Sequence, residues 1–316
     1  MARTPNLTPL LDASFADPEA MAEVLEGHPD YRVLRRLKPR REFGRKRQGE
    51  IAKVMILDTE TTGLDSNKDR IIELALILVD VDKDTGLPLQ VHEVFDELEH
   101  PGRPIPAEAT RITGITDAMV AGKRLNEARV AELMAGVDLV IAHNARFDRG
   151  FMENRLPDFA KLPWACSVSE IDWQAQGRGS AKLEFLAHEL GWFYDAHRAE
   201  MDCHALLAVL AAPLPNNPGE TGLGRLLATA QTTSYRVQAT GSPFSSKDVL
   251  RARGYRWDAE RKVWYTQVGN PAALDAECAW LKTEVYSGSS ARIYIERQTA
   301  LERFSSRAGE CLHRDL

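Results

Sequence analysis

The sequence predicts an α/β fold, a mixed sheet flanked by helices, followed by a smaller α+β module. Three observations predict it. Strand-like apolar segments recur three times between Val54 and Phe95, with a turn at Asp84-Thr85-Gly86. Beyond them, helical and strand-like patterns alternate as far as Ala211. The run Pro213 to Gly219, rich in Pro and Asn, then interrupts both patterns. The expected units are a helical, basic extension over 1–50, a main domain over 51–212 and an accessory module over 219–316.

Taken in order, residues 8–37 read as one or two helices, with Asp17-Pro18 as a start and Met21, Val24 and Leu25 at helical spacing. Nine Lys and Arg then crowd into residues 32–47, a candidate phosphate-contacting arm. Val54 to Leu57 is a buried strand ending in Asp58, Arg70 to Val81 a second and Gln90 to Phe95 a third. Short helices are expected over Pro106 to Thr113 and Thr116 to Val120, and an amphipathic one over Asn126 to Ala135. Val137 to Ala142 is a strand, and Asn144 is placed to cap a helix through Arg155. Ala181 to Leu190 and Arg198 to Ala211 complete the helices of the main unit. The C-terminal segment offers helices over Leu223 to Thr232, Ser245 to Arg253 and Pro271 to Glu284. It also offers a strand over Tyr235 to Ala239 and a hairpin over Gly254 to Thr266.

Of the 316 residues, 44% are hydrophobic and 27% charged, the balance of a globular protein with no membrane association. No stretch approaches the ~18 apolar residues of a membrane helix. The N-terminus lacks a signal peptide, and the four dispersed cysteines form no CxxC pair, so the expected compartment is the cytoplasm. The net charge of −6 is segregated: residues 54–218 hold 15 basic and 27 acidic residues, between flanks of +3 each. An acidic middle does not suit a plain nucleic-acid surface; it suits an acidic face or carboxylates gathered for metal.

Asp58-Thr59-Glu60-Thr61-Thr62-Gly63-Leu64 is the most informative segment. Residues two apart share a strand face, so Asp58 and Glu60 point the same way. Two adjacent carboxylates repel unless a cation lies between them, and hard divalent ions favour oxygen ligands. Gly63 allows a turn that a substrate strand can approach closely. A second element is His143-Asn144-Ala145-Arg146-Phe147-Asp148, where an apolar strand runs into a helix with Asp148 in its first turn. His143 reads as a packed or hydrogen-bonding residue. The third is His197-Arg198-Ala199-Glu200-Met201-Asp202-Cys203-His204. Five positions apart on one helix, His197 and Asp202 would face different ways, so they share a site only if His197 lies on the loop leading in. His204 reads as core or surface and Glu200 as a solvated acid.

Together these three motifs resemble those of the DEDDh (DnaQ-like) 3′–5′ exonuclease family, which includes polymerase proofreading subunits. The resemblance covers about residues 51–212, and Arg111 to Thr116 resembles the family's segment between its first two motifs. The histidine five residues before the last Asp is that of the His-type branch. The resemblance implies a ribonuclease H-like fold and two divalent cations, Mg²⁺ or Mn²⁺, held by Asp58, Glu60, Asp148 and Asp202. It implies His197 as general base, and Thr61, Thr62, Gly63, Leu64, Asn144 and Phe147 as substrate contacts, with Leu64 as an apolar wedge. The implied substrate is DNA, at a single-stranded 3′ end, and the implied partner a DNA polymerase or another replication or repair protein. RNA trimming by the same superfamily and a non-catalytic binding module are the competing readings.

In the C-terminal segment, Lys247, Arg251, Arg253, Arg256, Arg261 and Lys262 interleave with Phe244, Tyr255, Trp257, Trp264 and Tyr265. That pattern suits single-stranded nucleic acid, or a small module using its aromatics as core. A cut near Pro218 is expected to leave the main domain intact.

Overall fold

The computed structural model describes residues 17–316. The first 16 residues, and the part of the expected N-terminal helix that falls on them, lie outside the described residues. Helix α1 spans Pro18–Glu26, started by Asp17, whose side chain accepts from the Glu19 amide. It stops there: residues 27–34 form turns and loop, and Arg35–Arg36 is a short strand, β1. The longer helix fails because His28-Pro29-Asp30 breaks the repeat and Arg32 onwards offers no apolar stripe.

The main sheet is built from β2 (Ile51–Thr61), β3 (Ile71–Asp82), β4 (Leu87–Leu98), β5 (Leu139–Ala142) and β6 (Trp164–Cys166), in the order β4-β3-β2-β5-β6. β2, β3 and β4 are antiparallel, while β5 and β6 add in parallel. This is the mixed, helix-flanked sheet that the pattern and the resemblance implied. The three-residue β6 is too short to carry a periodic signal in the sequence.

Between β4 and β5 lie α2 (Ala107–Thr113), α3 (Asp117–Val120) and α4 (Glu127–Met134). After β5 come α5 (Ala145–Arg155), α6 (Leu183–Glu189), β7 (Trp192–Phe193) and α7 (Ala199–Ala211). The sheet is buried on both faces, and the two-residue period sorts its side chains. Val54 and Ile56 join Leu206, Leu207 and Leu210 of α7 in one core. Met55 and Leu57 join Phe151 and Met152 of α5, together with Phe159 and Trp164, in the other.

The expected linker is a hairpin, β8 (Pro213–Leu214) with β9 (Asn217–Thr221). The next helix, α8 (Gly222–Ala230), belongs to the first core, where Leu223 and Leu226 are fully buried. Gly222 is required there: a Cβ would lie 2.6 Å from a methyl of Leu210. The boundary expected at 213–219 therefore corresponds to no break in packing. Pro and Asn end regular structure, but burial decides which unit owns the next helix.

The C-terminal sheet has the order β11-β12-β10-β13-β14 and is antiparallel throughout. Its strands are β10 (Ser234–Ala239), β11 (Arg256–Asp258), β12 (Val263–Val268), β13 (Arg292–Gln298) and β14 (Glu310–Asp315). Helices α9 (Lys247–Ala252) and α10 (Pro271–Trp280) close one face over Val237, Tyr255, Leu274 and Ile295. Of the two tryptophans among the interleaved aromatics, Trp264 packs against this core, whereas Trp257 is 51% exposed, edge-on to Trp264.

Candidate active site

Because Asp58 and Glu60 continue the face of Val54 and Ile56, both point towards α7, where Asp202 lies one turn in. Carboxylate oxygens of these three residues all lie within 4.8 Å of one another. Asp148 approaches from α5 on the other face. It is buried, and one of its oxygens accepts from the Thr59 hydroxyl at 2.8 Å and the Thr59 amide at 3.1 Å. Thr59, one residue out of phase with the two acids, ties the fourth acid to the same strand end.

Asp202 is held at both oxygens: Tyr194 donates its hydroxyl at 3.0 Å and Arg198 its amide at 3.1 Å. His197 lies on the loop into α7, exposed, with a φ of 62°. That left-handed turn brings it to the same cleft as Asp202, as the loop placement required. The cleft, about 670 Å³, is lined by Asp58, Glu60, Asp148, His197 and Asp202 with Tyr194 and Lys182.

Burial, then the charges of Asp148, Asp202 and Glu60, push the Asp58 carboxyl well above the usual range. Burial, with Asp202 and Glu73 behind it, pushes Glu60 up to about 8. Asp148 rises to about 7 through burial, against the Thr59 hydrogen bonds. Asp202 is raised by burial too, although Tyr194 and Arg198 pull it down. Carboxyls this close stay ionised together only when cationic charge is supplied. Three oxygen donors, no sulfur and one open side make a set that fits a hard divalent ion.

The expected substrate residues divide. Asn144 and Phe147 line the cleft. Asn144 does not cap α5 with its side chain; it sits at φ 69°, a left-handed position that Asn tolerates. Thr61 and Thr62 are buried and committed to their own loop. Thr61 donates to the Gly63 carbonyl at 2.6 Å, and the Thr62 hydroxyl serves Asp69, Arg70 and Arg103. Gly63 makes room for the Asp69 carboxylate, which a Cβ would meet at 2.5 Å; the close approach there is internal. Leu64 is 88% exposed. His143 contacts Ser167 at 2.7 Å and burial lowers it to about 4, so it stays neutral as a packed residue. His204 is buried, as core.

Sequence reasoning missed Glu73. Fully buried on β3, it accepts from the Ala199 amide at 2.9 Å and pairs with Arg198 at 2.7 Å, fixing the start of α7. Its signal was available: one acid in the apolar run Ile71-Ile72-Glu73-Leu74-Ala75-Leu76. Tyr194 and Thr59 carried no comparable signal, because their partners are set only by the fold.

The exonuclease family profile (RNase_T) matches residues 55–210, a span that contains all five expected catalytic residues. The DNA polymerase III subunit epsilon of Treponema pallidum (strain Nichols) is 30% identical over 178 residues, 52% of this chain and 78% of that protein. A PolC-type DNA polymerase III of Listeria innocua serovar 6a is 37% identical over 108 residues, 33% of this chain but only 7% of that protein. Among solved structures, exonuclease X in complex with 5′-overhanging duplex DNA is 28% identical. It aligns with 55% of this chain and 97% of its own, with a TM-score of 0.42. Matched along most of an epsilon subunit and across the whole acidic cleft, the chain belongs to the DnaQ-like exonuclease family.

Proposed function

We propose that this protein is a 3′–5′ exonuclease that hydrolyses phosphodiester bonds at the 3′ end of DNA and releases nucleoside monophosphates. The observation that carries the reading is the convergence of the Asp58, Glu60 and Asp202 oxygens within 4.8 Å. Asp148 and His197 line the same cleft. DNA is favoured as substrate by the relatives, which are named for DNA polymerase III.

Asp58, Glu60 and Asp202 would hold one Mg²⁺ or Mn²⁺, with Asp58 and Asp148 placed to support a second. Such a pair supplies Lewis-acid stabilisation of the charge on the attacking and leaving oxygens. His197 accepts the proton of the attacking water at an imidazole nitrogen. The new bond joins the water oxygen to phosphorus, and the bond to the 3′ oxygen of the penultimate nucleotide breaks. Tyr194 and the Arg198 amide keep Asp202 from swinging as charge builds. Lys182, on the rim, is placed to meet a phosphate. The proposed partner is DNA, with a polymerase or another replication or repair protein as the proposed protein partner. Among the described residues no helix is long and apolar enough to cross a membrane.

The test is digestion of 5′-labelled single-stranded DNA, duplex DNA and RNA with Mg²⁺ or Mn²⁺. Stepwise shortening of DNA from the 3′ end is expected. Absence of hydrolysis, or cleavage confined to RNA, would overturn the proposal.

A further inference from the structure

Residues 32–47 lie outside the family match and the active-site machinery, yet the fold gives them a defined place. β1 pairs in parallel with β7, Arg35 beside Trp192 and Arg36 beside Phe193. Arg36 also pairs with Asp195 at 2.8 Å and lies over the Phe193 ring at 4.9 Å. Phe193 immediately precedes Tyr194, which lines the cleft and holds Asp202. The arm then crosses to the outer edge of β4, where the Val91 amide donates to the Arg41 carbonyl at 2.8 Å and the Phe43 amide to the Leu89 carbonyl at 3.2 Å. The basic segment is thus fixed at both ends, beginning at the loop that carries His197.

Its charge is only partly neutralised. Arg32 pairs with Glu189, and Arg35 with Glu19 and Glu26. Among the described residues, no carboxylate pairs with Lys38, Arg40, Arg41, Arg45 or Lys46, and all five are exposed. Two rings lie beside them: Phe43, packed against the main core with Arg40 over it at 5.3 Å, and Phe193, 41% exposed with Arg36 over one face. A groove of about 650 Å³ runs beneath, with Leu37, Phe43, Trp192 and Leu207 as walls and Lys38, Arg40 and Arg45 on its rim.

We infer that this arm is a binding track for single-stranded nucleic acid, taking the phosphates and bases of the strand upstream of the 3′ end in the cleft. Cations spaced along an extended segment suit a phosphate backbone, and the exposed part of Phe193 offers a base a contact beside them. The continuity from Phe193 to Tyr194 joins the track to the cleft. The assignment of the bound strand as substrate rests on the nuclease reading; the binding itself does not.

The experiment compares the full chain with a Lys38→Gln/Arg40→Gln/Arg45→Gln variant. Binding of fluorescein-labelled oligo-dT is measured by anisotropy in EDTA, so that hydrolysis plays no part. Loss of three phosphate contacts should weaken binding about tenfold and reduce the slope of log affinity against log salt by about 2. With Mg²⁺ or Mn²⁺ present, the ratio of KM on long oligo-dT to KM on a dinucleotide should rise. The side chains are exposed, so an unchanged melting temperature is expected and is checked first. Equal affinity and equal salt slope in the two proteins would overturn the inference. So would tight binding of poly-glutamate, lost in the variant, with oligo-dT binding unaffected, since the arm would then hold an acidic protein segment. A wild type that binds oligo-dT through the arm but hydrolyses nothing would refute the nuclease reading and leave the track standing.

Discussion

Asp58 and Asp202 face each other across the cleft from a strand end and a helix start, both partly exposed. Alanine at either relieves repulsion instead of opening a cavity. Both variants should therefore fold and lose hydrolysis, as read by nuclease assay on protein checked by circular dichroism; Asp58→Ala should melt no lower than wild type without metal, whereas Asp202→Ala gives up its hydrogen bonds with Tyr194 and Arg198. His197→Ala should lower kcat by about 10²–10⁴-fold, the usual share of a general base, while calorimetry finds Mn²⁺ affinity nearly unchanged. A collapse of metal affinity would make the imidazole a ligand. The carboxyl shifts also set a pH dependence. Glu60 is raised from 4.5 to about 8 and Asp148 from 3.8 to about 7, so between those limits the folded metal-free protein binds more protons than the unfolded chain. Their contribution to stability is complete below the ordinary carboxyl values and is lost as pH rises through the raised ones. The melting temperature of the metal-free protein should fall as pH rises over that window. Saturating Mg²⁺ or Mn²⁺ should remove the fall, because bound cations favour the ionised form.

At the scale of elements, α7 does most to assemble the site, and its start depends on one buried acid. Glu73 satisfies the Ala199 amide and pairs with Arg198, whose own amide holds Asp202. Glu73→Gln keeps the shape but removes the charge from both contacts. A cost of about 1–3 kcal/mol in urea unfolding is expected, with a fall in kcat as Asp202 loses its fixed position. An unchanged midpoint would mean that the helix start is held by packing alone. The strand β2 works by a simpler rule. Its two-residue period carries Val54 and Ile56 to one core and then delivers Asp58 and Glu60 to the same side, while Thr59 reaches Asp148 on the other.

For the whole molecule, the C-terminal sheet is bound to the main domain through residues 299–307. Arg149, next in sequence to Asp148 and fully buried, donates to the carbonyls of Ala300, Leu301 and Arg303. Arg303 pairs with Glu170 at 2.8 Å, and the Trp164 amide donates to the Ala300 carbonyl. A chain ending at Pro218 would lose Leu223 and Leu226 from the core and leave the Arg149 guanidinium without those carbonyls. The expectation of an intact core after that cut is therefore replaced by its opposite: such a chain should be insoluble or melt far below the full protein. A chain ending at Thr232 keeps α8, and the Arg149 guanidinium keeps Glu153 at 2.6 Å while losing the three carbonyls. Such a chain should fold but melt below the full protein, as read by thermal denaturation. An unchanged melting temperature would mean that the contacts around residue 300 add nothing to the main domain.

The motifs around Asp58, Asp148 and Asp202 were legible in the sequence because each sits where a short periodic segment ends, and local spacing decides which way such residues point. The mixed sheet was legible for the same reason, as Ile, Val and Leu runs of the right length admit few alternatives. For His197 the spacing set only a condition, that it share a site with Asp202 from the loop leading in, and its role came with the resemblance. Pairings between residues far apart in the chain were not legible: Glu73 with Ala199, Tyr194 with Asp202, Arg149 with the carbonyls near residue 300. Those contacts have no period and leave no local trace. They exist because packing two cores against one sheet brings particular side chains to distances at which a hydrogen bond can form. Ownership of α8 is the same case at larger scale: its apolar stripe says that it must be buried, and only the tertiary structure decides against what.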